Sequence, residues 1–139
     1  MPLLVFSDAW ASACAEVINR SAAYRAAAAT WEGAILLLMT PDKNAGDERR
    51  VFLDLWHGDC RSARAASAAD ESTARYVLAG TESSWRLVLT GKIAPLLAIM
   101  TGKLKLAKGS IAELIPYTTA AKELVNAAAA IDATFPGGA

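Results

Sequence analysis

Histidine occurs once and cysteine only twice in the 139 residues. Cys14 and Cys60 stand far apart, outside any Cys-x-x-Cys or Cys/His spacing. Neither a disulfide framework nor a zinc site is expected, and both thiols are read as reduced. No glycine-rich phosphate loop, metal constellation or acid and base pair appears, so no cofactor or metal is expected. Long apolar runs are missing too. Ala34 to Met39 and Ile93 to Met100 stop well short of the roughly 18 to 20 residues that cross a bilayer. The start, MPLLVFSDAW, lacks the basic leader and long apolar stretch of a secretory signal, and the tail, FPGGA, is not a Ser-Lys-Leu address. The expectation is a soluble cytoplasmic protein. Net charge is absent as well, with 14 basic residues against 14 acidic ones, and nothing points to nucleic acid. The balance is uneven along the chain, however. Arg86, Lys92, Lys103, Lys105 and Lys108 lie between Glu82 and Glu113 with no acid among them.

What is present is apolar and small. Hydrophobic residues make up 54% and charged ones 20%, with alanine prominent, which predicts a globular chain folding as one domain over 1–139. Ser7 caps a predicted helix on which Trp10, Cys14, Val17 and Ile18 recur at helical spacing, and AAYRAAAAT continues or follows it. WEGAILLLM and RRVFLDLWH read as two strands of a hairpin joined by the turn-rich PDKNAGDE. CRSARAASAADES reads as a surface crossover with a short helix, and ARYVLAG (74–80) as the next strand.

Thr81 caps a helix with Trp85, Val88 and Leu89 inward and Glu82 paired with Arg86 outside, closed by Gly91. Pro95 opens the short helix PLLAIMT, closed by Gly102, and KLKL follows as a half-exposed strand with Leu104 and Leu106 on one face and Lys103 and Lys105 on the other. Ser110 and Glu113 form a capping box before SIAELI, and Pro116 precedes a last helix with the stripe Ala121, Leu124, Ala128 and Ile131. Strands gathered between flanking helices predict an α+β fold, a mostly antiparallel sheet with helices over one face.

PLLAIM is apolar on every side, so it must meet two apolar partners: the sheet, and either more protein or a ligand. Two other readings use different residues. WHGDC puts His57, Asp59 and Cys60 within four positions, the one place where a nucleophilic enzyme could be sought, although catalytic triads are assembled from separate segments. Sheet edges and the tryptophans Trp31, Trp56 and Trp85 would alternatively make a dimeric interaction module that holds no ligand. Asp54, between Phe52 and Trp56, faces solvent or pairs with Arg49 or Arg75.

The order TESSWRLVLTG, then Lys-x-x-Pro, then an apolar helix running into Met-x-Gly-Lys-Leu-Lys, then glycine and a leucine-containing helix, resembles the sterol carrier protein 2 lipid-binding domain. The resemblance runs from the first helix to Ile131. It implies a five-stranded sheet covered by helices and enclosing an apolar tunnel that binds fatty acids, fatty acyl-CoA or sterols without chemistry. The family's tunnel segment matches Pro95 to Met100 and its strand matches Gly102 to Leu106. With these, the candidate ligand contacts are Trp85, Val88, Leu89, Ile93, Leu96, Leu97, Met100, Leu104, Leu106, Leu114 and Leu124. Lys92, Lys103, Lys105 and Lys108 are the candidate contacts to anionic headgroups or membrane. The sequence departs from the family in two places: Ile99 stands where an aromatic residue is common, and LAKGS carries one residue more, which predicts a bulge at the strand's end.

Overall fold

The computed structural model describes residues 2–42 and 47–136. Its elements in chain order are β1 (Leu3–Leu4), α1 (Asp8–Arg20), α2 (Ala22–Ala27), β2 (Glu32–Thr40), β3 (Arg49–Trp56), β4 (Asp59–Ala65), a 3₁₀ turn (Ala68–Ser72), β5 (Tyr76–Thr81), α3 (Glu82–Leu89), α4 (Pro95–Met100), β6 (Leu104–Lys108), α5 (Ile111–Leu114), a 3₁₀ turn (Ile115–Tyr117), α6 (Thr118–Ala129) and β7 (Ala133–Thr134). β2 to β6 form a five-stranded sheet in the order β4-β3-β2-β5-β6. Every neighbour pair is antiparallel except β2 and β5. The α+β expectation therefore holds, and the hairpin of β2 and β3 is present. Of the turn predicted between those strands, residues 43–46 lie outside the described residues, as do 137–139 of the tail.

Alternation along the strands decides what each face buries. Ile35, Leu53, Leu55 and Tyr76 belong to the main core beneath the helices. Leu36 and Val77 point the other way, into a smaller cluster with Ala74, Phe52 and Ala66. The second face is thus covered too, by the chain that crosses from β4 back to β5. Polar bonds hold this crossover down. Arg50 Nε donates to Glu71 at 2.8 Å, and Lys108 Nζ donates to the carbonyls of Glu71 and Ser72.

Several local expectations are corrected. The stretch predicted as a surface crossover begins with a strand, β4, which pairs with β3 from Trp56↔Asp59 onward. His57 and Gly58 both have positive φ, +49° and +89°. That is the primed two-residue turn whose twist suits a hairpin. Asn19 on α1 clasps this edge strand: its amide donates to the carbonyl of Cys60 at 2.9 Å and its oxygen accepts from the Cys60 N–H at 2.8 Å. Asp54 pairs with Arg61, the residue that β4 sets near it, and not with Arg49 or Arg75. Glu82 is bonded to Arg86 as predicted but is only 8% exposed, so the pair does not stand outside. Ser110 accepts from the Ala112 N–H, while Glu113 bonds Arg75 across the fold in place of completing a capping box. Ile131 lies beyond the end of α6. The predicted bulge is present: Val77 faces Lys108 and Leu78 faces Leu106, leaving Ala107 as the extra residue.

One pairing had no sequence signal. β1 and β7 form a parallel two-stranded pair with Leu3 opposite Ala133. Each strand is only two residues long, too short for alternation to show.

Candidate functional site

Between the inner face of the sheet and the helices lies an apolar cavity of about 110 Å³. Its floor is Ile35, Leu37, Leu53, Leu55, Leu78 and Leu104 from the strands. Trp10, Cys14, Ile18 and Tyr24 close one side from α1 and α2, and Trp85, Val88, Leu89, Pro95, Leu96 and Ile99 close another from α3 and α4. Ala120, Ala121, Leu124, Val125 and Ala128 of α6 complete it with Trp31, Leu114 and Tyr117. The alanines matter here because small side chains on α6 leave space that a leucine stripe would fill.

The polar atoms of these walls are nearly all spent on the protein itself. Trp85 Nε1 donates to the carbonyl of Leu38 and Trp31 Nε1 to that of Gly33, each at 2.8 Å. Tyr117 is held by the hydroxyl and carbonyl of Thr30. The exceptions are the indole N–H of Trp10 and the hydroxyl of Tyr24, neither of which has a hydrogen-bond partner among the described residues. Tyr24 is almost fully buried. Burial first, and then the neighbouring Cys60 and Asp59, push its pKa well above the ordinary tyrosine range, so it remains a neutral donor. The aromatic rings are locked together: Phe6 packs 5.4 Å from both Trp10 and Trp85, and Trp31 meets Tyr117 edge-on at 4.8 Å.

Among the candidate ligand contacts, Trp85, Val88, Leu89, Leu96, Leu104, Leu114 and Leu124 line the cavity together. Ile93 and Leu106 pack against the core without reaching it. Leu97 and Met100 turn outward and are 49% and 71% exposed, so these two are corrected from wall to surface. A six-residue helix can place only one side against the cavity, and Pro95, Leu96 and Ile99 occupy that side. Sequence reasoning missed Tyr24, Trp31, Tyr117 and most of α1 and α6 as walls, because an inward stripe looks the same whether it meets side chains or a void. Of the four lysines, Lys92, Lys103 and Lys105 are exposed without an ion-pair partner among the described residues, and Lys108 is the one bonded to the crossover.

The His57, Asp59 and Cys60 group does not assemble. His57 sits in the exposed turn with Nε2 2.6 Å from Glu32, and Asp59 is paired with Arg25. Cys60 is buried on the sheet's inner side, where burial and the charge of Asp54 raise its thiol to about 11. Burial, with a lesser effect of Cys60, raises Cys14 to about 12. Both thiols are protonated at neutral pH and are not primed as nucleophiles. Of the tryptophans, Trp10, Trp31 and Trp85 are core, leaving Trp56 at the surface beneath Arg61.

Known proteins share this fold. The family model described as SCP-2 sterol transfer family matches residues 14–115. A crystal structure of sterol carrier protein 2 is 46% identical, covering 91% of this chain and 98% of its own, with a TM-score of 0.83. The solution structure of the conserved hypothetical protein TT1886 from Thermus thermophilus is 45% identical, covering 93% of this chain and 90% of its own, also at 0.83. The apo form of sterol carrier protein 2 from Yarrowia lipolytica shares the fold at a TM-score of 0.58 and 17% identity, over 84% of this chain and 86% of its own. No curated protein matches the chain.

Proposed function

The chain belongs to the SCP-2 sterol transfer family, and from that premise we propose that it binds a single-chain lipid, a fatty acid or its acyl thioester, in the cavity beneath the sheet and carries or presents it without altering it. The observation that carries this reading is the wall itself, apolar on every element and short of free polar atoms. Such a wall rewards methylene groups, at about 0.8 kcal/mol for each one buried. Specificity comes from Tyr24, whose unspent hydroxyl donates to the carboxylate or carbonyl oxygen at the lipid's polar end. No wall residue supplies an ionised nucleophile or a base, which favours carriage over catalysis.

The cavity of about 110 Å³ is smaller than the roughly 300 to 1,000 Å³ of ligand pockets. A bound chain therefore needs at least one wall to move outward. Native mass spectrometry with extraction of bound lipid tests the proposal directly, alongside uptake of added palmitate. About one lipid per chain is expected. Ala121→Trp, which fills the cavity from α6, should lower palmitate affinity at least tenfold with the fold intact by circular dichroism. If the purified protein is empty and takes up no palmitate, the cavity is a packing space only and the interaction-module reading replaces this one.

A further inference from the structure

Helix α4 is apolar on two sides for two different reasons. Pro95, Leu96 and Ile99 face the cavity, while Leu97 and Met100 face water at 49% and 71% exposure. Only Trp56 at 37% and Ile115 at 57% join them as exposed large hydrophobic residues among the described ones. Two outward apolar side chains on one six-residue helix are an unpartnered surface, and their flanks say what covers it. Lys92 precedes the helix and Lys103 and Lys105 follow it, all exposed and none in an ion pair among the described residues. No acidic residue occurs from 83 to 112. Greasy side chains on a helix flanked along the chain by unpaired lysines match the interface of an anionic bilayer, where apolar groups enter the acyl boundary and each cation meets lipid charge.

The same helix is a wall of the cavity. Gly91 and Gly102 bracket it with φ of +79° and +82°, a backbone region that glycine enters freely, and a Cβ built at either position would meet nothing within 4 Å. No side chain caps its first turn, since Ala94 stands at the N-cap. The segment is thus held by its apolar contacts and by backbone bonds at its ends, the N–H groups of Lys92 and Ile93 donating to the carbonyl of Leu87, with no side-chain cap.

We propose that α4 is the docking surface for an anionic lipid bilayer, and that seating Leu97 and Met100 in the bilayer draws Leu96 and Ile99 off the cavity and opens it to the membrane. Docking stands on the surface alone; opening rests also on the reading of the cavity as the lipid site. The two are separated experimentally. Co-sedimentation with vesicles of phosphatidylglycerol and phosphatidylcholine measures docking, and release of a fluorescent fatty acid from the same vesicles to the protein measures opening.

The wild-type protein should bind the mixed vesicles, bind pure phosphatidylcholine weakly, and lose binding as salt rises. Leu97→Ser with Met100→Ser should lower vesicle binding at least tenfold and slow pick-up from vesicles in proportion, while leaving affinity for free palmitate within twofold. Lys103→Gln and Lys105→Gln should each weaken vesicle binding about fivefold. Undiminished vesicle binding by the double variant would overturn docking. So would a wild-type dimer in gel filtration that the double variant converts to monomer, since the face would then be a protein contact. Reduced docking with unchanged pick-up in the variant would overturn opening alone, and normal wild-type docking by a protein that binds no palmitate at all would leave docking standing and remove the lipid-carrier reading.

Discussion

At the scale of the residue, Tyr24 and the pair Leu97 and Met100 show where a sequence is silent. Tyr24 sits in the alanine-rich stretch AAYRAAAAT, where its neighbours suggest close helix packing and nothing marks its hydroxyl as unspent. Only the fold shows that no acceptor reaches it. Tyr24→Phe should weaken palmitate about tenfold, the worth of a hydrogen bond to a charged acceptor, while leaving binding of pyrene, which has no acceptor, unchanged in a fluorescence titration. Equal losses for both ligands would mean that the ring shapes the cavity and the hydroxyl reads nothing. Leu97 and Met100 are illegible for the opposite reason. PLLAIM gives no polar side to a helix, so periodicity cannot say which residues face in. Where polar neighbours do break the pattern, as at Trp85, Val88 and Leu89 beside Glu82 and Arg86, the inward face is readable from residue spacing alone.

Elements were legible where their ends carry chemistry. Ser7, Thr81 and Ser110 each accept from a backbone N–H at the start of the helix predicted for them. Pro95 and the glycines around α4 bound it in the same way. β4 failed because an edge strand needs only a few inward residues. Cys60 is buried and Ala63 half-buried, while Arg61, Ser62 and Arg64 are exposed, and that small and charged pattern reads as a loop. The turn His57-Gly58 was the missed signal, being a two-residue hairpin link in which histidine takes the place more often held by asparagine. What keeps this strand in register is an element-to-element bond, the two hydrogen bonds from Asn19 on α1. Asn19→Ala should destabilise the protein by about 1 to 3 kcal/mol in urea unfolding by leaving the Cys60 backbone groups without their partner. A change near zero would show that the pairing of β3 with β4 holds the edge unaided.

For the whole molecule, the mostly antiparallel sheet and its helical cover followed from the order of patterns, and the strand order did not. β5 lies parallel beside β2 because the chain leaves β4 at one edge, crosses the second face and returns on the far side of β2. Crossovers of this kind leave little local pattern, since the residues that seat them, Ala66, Ala74 and Val77, are small or ordinary. The cavity is likewise a property of the assembly: it exists because α6 brings alanines to a place where five other helices and the sheet bring rings and leucines.

The parallel pair β1 and β7 has a kinetic meaning. The N–H of Leu3 donates to the carbonyl of Asp132 and that of Val5 to Thr134, each at 2.9 Å, so the two ends of the described chain are clasped together. Contacts so distant in sequence carry the largest loop-closure entropy and form late, after sheet and helices have already brought the ends near. A clasp that fastens last also comes undone first. In hydrogen exchange the amides of Leu3 and Val5 should exchange well before those of Leu37 and Val51 in the sheet. Equal protection would mean that the ends open only with the whole fold. If the clasp is the weakest joint, partial opening begins at the termini, and Val5 and Phe6, which that short pair holds against Trp10 and Trp85, are the first core residues to meet water.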